Sequence, residues 1–120
     1  PKNSTTVAEV PRAECELAVR RVSIFAKQNN QHMKLEFLGD GTLTISTDAT
    51  EIGEEKTTLS VKVEGSSNVI ALNADYVLDV LGALADEENI KIELDGKMAP
   101  AVVKSMKNGG FIHLIMPLKM

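Results

Sequence analysis

Asn68-Val69-Ile70-Ala71-Leu72-Asn73-Ala74-Asp75-Tyr76-Val77-Leu78-Asp79-Val80-Leu81-Gly82-Ala83-Leu84 decides the fold, because its hydrophobic period changes within one stretch from that of a strand to that of a helix. Residues 68–72 read as a strand. Asn73 is then a good N-cap, its short side chain able to accept from the first free amides of a helix running to about Leu84. Val77, Val80, Leu81 and Leu84 recur at helical spacing as the buried stripe, while Asp75, Asp79 and Asp86 fall on a solvated face. Strands follow at 90–94, 99–104 and 111–116. The same order stands upstream. Residues 5–10 form a short strand, and Pro11 suits the first position of a helix reaching about Lys27, with Asn29-Asn30 as its stop. Residues 33–37 and 42–47 alternate on either side of the Gly39-Asp40-Gly41 turn, a hairpin, and residues 56–63 give the next strand before Gly65-Ser66-Ser67. Strand, helix and three strands thus occur twice, and Leu17 and Val19 match Leu78 and Val80 at one offset. The expectation is an α+β domain of about eight antiparallel strands, with both helices on one side of the sheet.

The first helix has more apolar surface than one sheet needs. Cys15, Ala18, Val19, Val22 and Ala26 make the buried stripe, and Arg12, Glu16, Arg20, Ser23 and Lys27 share another face, nearly in line. Leu17, Ile24 and Phe25 fit neither set. Two readings remain open for them: a broad core-facing helix, or contact with a second subunit. The C-terminal Ile115-Met116-Pro117-Leu118-Lys119-Met120 poses a similar choice, since chain ends are normally polar. Pro117 ends the last strand, so Leu118 and Met120 either complete the core or, with Met98, form a soft lining for an apolar partner. Local pattern does not separate the two.

Composition excludes several classes. The 120 residues suit one domain with a real core, and a net charge of −4 gives no global attraction to nucleic acid or anionic lipid. There is no apolar run of membrane-spanning length and no signal-peptide pattern, so a cytoplasmic location is expected. The single cysteine, Cys15, makes no intramolecular disulfide and reads as a small buried hydrophobe, which leaves the Asn3-Ser4-Thr5 sequon to chance. A start at Pro1 without a methionine is expected from processing or, more readily, from a piece cut out of something longer.

Catalytic patterns are lacking. His32 and His113 have no cysteine or carboxylate at metal-ligand spacing, and neither a nucleophile elbow, a P-loop nor a dinucleotide-binding glycine pattern occurs. Glu51, Glu54 and Glu55 read as a charged loop without the alternating ligands of a calcium site. One tyrosine and no tryptophan leave few platforms for stacking single-stranded nucleic acid. The chain reads as a non-enzyme needing no cofactor and no metal.

Five pieces in order carry a family resemblance: Arg20-Arg21-Val22-Ser23-Ile24-Phe25-Ala26, Leu43-Thr44-Ile45-Ser46, Glu51-Ile52-Gly53-Glu54, residues 72–81, and Met116-Pro117-Leu118-Lys119-Met120. Together they resemble the third, C-terminal domain of the bacterial DNA polymerase III beta subunit, the sliding clamp. The resemblance covers the whole chain. It implies a DNA-clamp domain of two strand-helix-three-strand units, one third of a protomer whose first two domains are absent here. Two such protomers make a homodimer ring around duplex DNA, a processivity factor in replication. The clamp is a non-catalytic subunit of a holoenzyme that is itself a nucleotidyltransferase.

The resemblance also implies sites. A pocket for short glutamine, leucine and phenylalanine motifs of polymerase, clamp loader and repair proteins maps to Asn73, Tyr76, Met98, Pro100, Leu114, Met116, Pro117, Leu118, Lys119 and Met120. The ring-closing contact maps to Ile24, Phe25, Glu51, Glu54 and Glu55, although Lys56 and Thr57 stand where the family continues acidic. Arg20 and Lys27, turned away from the core stripe, are expected to attract the DNA backbone diffusely, without base readout. A free-standing nucleic-acid-binding or scaffolding domain sharing the fold is the competing reading, since fold alone does not exclude it. Such a module would have no use for both pocket and interface.

Overall fold

The computed structural model describes residues 5–27, 31–47, 55–95, 99–107 and 111–118. Within them the chain order is β1 (Thr6–Pro11), α1 (Arg12–Ala26), β2 (His32–Leu38), β3 (Thr42–Ser46), β4 (Lys56–Ser60), β5 (Lys62–Gly65), β6 (Asn68–Asn73), α2 (Ala74–Ala83), β7 (Asn89–Leu94), β8 (Ala101–Ser105) and β9 (Ile112–Ile115). The strands form two antiparallel sheets rather than one, in the orders β5-β1-β7-β8-β9 and β4-β3-β2-β6. Each unit lends its leading strand to the other. β1 pairs with β7 of the second unit, and β6 pairs with β2 of the first. Neither half can therefore close its own sheet, and the two share one core.

Alternation sets the sheet faces. Along β2, Met33, Leu35 and Phe37 are fully buried while Lys34 is exposed. Burying side chains of that size stabilises the fold by about 1.5–3 kcal/mol each. All nine expected helix-core residues, Cys15, Ala18, Val19, Val22, Ala26, Val77, Val80, Leu81 and Leu84, are buried. Where Cys15, Val77, Val80 and Leu81 meet both sheets, an apolar void of about 20 Å³ remains, scarcely room for one water.

Two expectations need correction. Residues 56–63 are not one strand: β4 pairs with β3, whereas β5 pairs with β1 in the other sheet. Leu59, Val61 and Val63 all pack on the core, so the two-residue alternation runs straight through the corner and only the backbone partner changes. At the end of β5, Gly65 takes φ 91°, a left-handed conformation that favours glycine. Pro11 is likewise not the first helical residue. It closes β1 with φ −67° and ψ 117°, and Arg12 begins the helix, its amide donating to the Glu88 carbonyl at 3.0 Å.

Candidate functional site

The second unit gathers the expected pocket residues at one end of the domain. Asn73 ends β6 and caps α2, its Oδ1 accepting from the amides of Asp75 at 2.8 Å and Tyr76 at 3.3 Å. The preceding amide demand is met by a backbone group: Ala74 N–H donates to the Gln31 carbonyl at 2.9 Å, and Gln31 adopts φ 63°. With its oxygen committed to the helix, Asn73 has only its amide NH₂ to offer a ligand. Tyr76, one turn on, is 59% exposed.

β9 brings the tail to the same end. It is the edge strand beside β8, with Ala101 opposite Ile115, so Pro100 and Met116 continue that register beyond the ladder. Leu114 and Met116 are each 65% exposed, whereas Pro117 and Leu118 are half-buried. The chain then crosses to the other sheet, where Leu118 N–H donates to the Ala71 carbonyl at 2.8 Å on the edge of β6. The structure separates the atoms of the tail. The Leu118 backbone is docked, and the Leu114 and Met116 side chains stay uncovered. Met98, Lys119 and Met120 lie outside the described residues.

At the opposite edge, β4 is the terminal strand of its sheet and α1 packs beside it. Ile24 is 60% exposed and Phe25 half-buried, so neither belongs to the core stripe. Leu17, two turns before Ile24 on the same face, is exposed as well. Glu55 is half-buried, and its carbonyl accepts from Thr47 N–H at 3.2 Å. Glu51 and Glu54 lie outside the described residues. The described residues of the two expected sites therefore lie toward opposite edges.

The helical face is less basic than its sequence suggests. Arg20 is not a free cation: its Nη2 donates to Glu16 Oε2 at 2.7 Å, and Arg12 Nη1 donates to Glu16 Oε1 at 2.6 Å. These two hydrogen bonds, Arg12's first and Arg20's second, hold the Glu16 carboxyl below its ordinary pKa. Arg12 is fixed from behind, with Nε donating to the Glu87 carbonyl and Nη1 to the Leu81 carbonyl, both at 3.3 Å. The shared face of Arg12, Glu16 and Arg20 was readable at four-residue spacing. Its anchoring to the turn after α2 was not. Arg21 and Lys27 are exposed and form no ion pair among the described residues.

Among the described residues no three His, Cys, Asp or Glu are placed to hold a metal ion. Cys15 is buried, and burial pushes its thiol up to about 12, which leaves almost no thiolate at neutral pH. His113 is half-buried beside Phe111, with ring centroids 5.5 Å apart. No helix among the described residues is long and apolar enough to cross a membrane.

Comparison with known proteins agrees with this geometry. The beta sliding clamp of Staphylococcus aureus is 28% identical over 120 residues, covering 99% of this chain and 32% of the relative, and that of Chlamydia pneumoniae is 26% identical over 117 residues. The chain thus spans about a third of the length of these curated relatives. Among solved structures, the DNA polymerase sliding clamp of Bacillus subtilis superposes with a TM-score of 0.92 at 26% identity, covering 100% of this chain and 32% of that one. The DNA polymerase III beta subunit of Thermotoga maritima does so with a TM-score of 0.93 at 23% identity and the same coverage, a likeness of fold. The family model described as the DNA polymerase III beta subunit, C-terminal domain, matches residues 1–119, and the chain belongs to that family.

Proposed function

We propose that this chain is the third domain of a three-domain sliding-clamp protomer, a processivity factor that works by topology. Two protomers close a ring around duplex DNA, and the ring tethers polymerase, clamp loader and repair proteins through short glutamine, leucine and phenylalanine motifs. The protein is a non-catalytic, cytoplasmic component of a complex whose polymerase performs nucleotidyl transfer. Family membership across residues 1–119 carries the reading, and the separation of two unpartnered surfaces on opposite edges supports it. Tyr76, Leu114 and Met116, with Asn73, Pro100, Pro117 and Leu118 around them, offer apolar anchors beside a hydroxyl, suited to an extended peptide. Met98, Lys119 and Met120 belong to the same site by family position. Ile24 and Phe25 beside the free edge of β4, with Glu51, Glu54 and Glu55, form the ring-closing surface. Arg20 and Lys27 face the duplex.

A ring must hold DNA without gripping it. A helical face with few unpaired cations meets that demand, because every phosphate contact would slow sliding. The test uses the full-length subunit loaded on a closed circular plasmid. The expected result is co-elution with the circle and release on linearisation by a single cut. Equal retention before and after the cut would mean that affinity, not enclosure, holds the protein, and would overturn the reading.

A further inference from the structure

Arg12, Glu16 and Arg20 form a ladder along α1, each arginine donating to one oxygen of the Glu16 carboxylate. Its inner end is rigid: the Arg12 side chain is only 12% exposed and is held by two carbonyls at the end of α2. Arg12 takes one carboxylate oxygen of Glu16, so the other oxygen is presented outward at a fixed place. Arg20, 62% exposed, closes on that oxygen at 2.7 Å and lies along α1 instead of extending away from it.

We propose that Glu16 sets how strongly this helical face holds a duplex, by drawing the Arg20 guanidinium along the helix and offsetting part of its charge. The inference rests on the duplex-facing reading of α1. An exposed pair at four-residue spacing is weak, so a phosphate can compete for Arg20. Even then the Glu16 carboxylate stays within a Debye length of the phosphate and opposes it. Arg20 therefore contributes less than one full phosphate contact, and Arg21 and Lys27, exposed and in no ion pair among the described residues, supply the remaining positive charge beside it. Glu16 is a positioning residue, since it acts through Arg20 and has no need to touch DNA.

The test is equilibrium binding of the full-length subunit to a short duplex, read by fluorescence anisotropy between 50 and 200 mM salt as roughly the range where counterion release is measured. Glu16→Gln keeps the shape and removes the charge. It is expected to strengthen binding about threefold at the low-salt end and to steepen the log–log salt slope by up to about 0.9, the value for one whole phosphate contact, less what Arg20 already contributes. In an Arg20→Gln background the same substitution should give a clearly smaller gain, limited to the field of the carboxylate itself. An unchanged slope in Glu16→Gln, or a gain of the same size without Arg20, would overturn the inference. Arg20→Glu with Lys27→Glu separates the two levels. If that double reversal leaves wild-type binding and slope unaltered, the duplex-facing reading and this inference both fall. If it weakens binding while Glu16→Gln changes nothing, only the inference falls. Should Glu16→Gln melt early, Glu16→Asp, one methylene too short to bridge both arginines, is expected to give a smaller change of the same sign, and no change would count against the proposal.

Discussion

α1 and α2 hold equivalent places in the two units, and they turn different chemistry outward. α1 exposes Arg20, Arg21 and Lys27 around Leu17 and Ile24, whereas α2 exposes Asp75 and Asp79 beside Tyr76. Their buried stripes are alike in being apolar and packed against both sheets, small and β-branched residues in α1 and the same joined by Leu81 in α2. Exchange of leading strands between the units explains why. Each helix must cover a core built by both halves, so the inward faces are constrained together while the outward faces are free to diverge. In the function proposed above, the outward face of the first unit serves ring closure along the edge of β4, and that of the second serves peptide binding where α2 begins and β9 ends.

The largest effect should come from breaking the first surface. In the full-length subunit, Ile24→Asp places a charge in a contact that must exclude water, and the assembled ring should separate into single protomers on analytical ultracentrifugation. A dimer of unchanged stability would place the interface elsewhere and would remove the distinction between the two edges. On the second surface the expected loss is smaller. Met116→Ala, or truncation before Leu118, should reduce affinity for a clamp-binding peptide by about 1–3 kcal/mol in calorimetric titration, with the dimer intact. Unchanged affinity in both variants would take the tail out of the site.

The smallest effect distinguishes the helix starts. α2 has a side-chain cap in Asn73, while α1 relies on the Glu88 carbonyl and has no capping side chain. Asn73→Ala should lower stability by about 1 kcal/mol in urea denaturation. The same substitution sharpens the reading of the pocket. Asn73 Oδ1 is engaged by two helix amides, so peptide affinity should fall less than in Met116→Ala. A larger fall would mean that the ligand takes Asn73 from the helix.

The sequence by itself determined the helix faces and the duplicated element order, because periodicity reports which way a side chain points, whereas the exposure of Leu17 and Ile24, open between core and contact in the sequence, was decided by the tertiary structure. Alternation of Leu59, Val61 and Val63 is equally visible, yet it is blind to backbone partners, so the passage from β4 to β5 between two sheets had to come from the tertiary structure. The same holds for both sites. The four-residue spacing of Arg12, Glu16 and Arg20 is local, but Arg12 gains its rigidity from carbonyls at Leu81 and Glu87, about seventy residues away by |i−j| of 69 and 75. Met116 and Leu118 look alike as residues of one apolar tail. Only the folded edge of β6, offering the Ala71 carbonyl to the Leu118 amide, decides that Leu118 docks while the Met116 side chain stays free, since a hydrogen bond between distant strands leaves no trace in the pattern of either one.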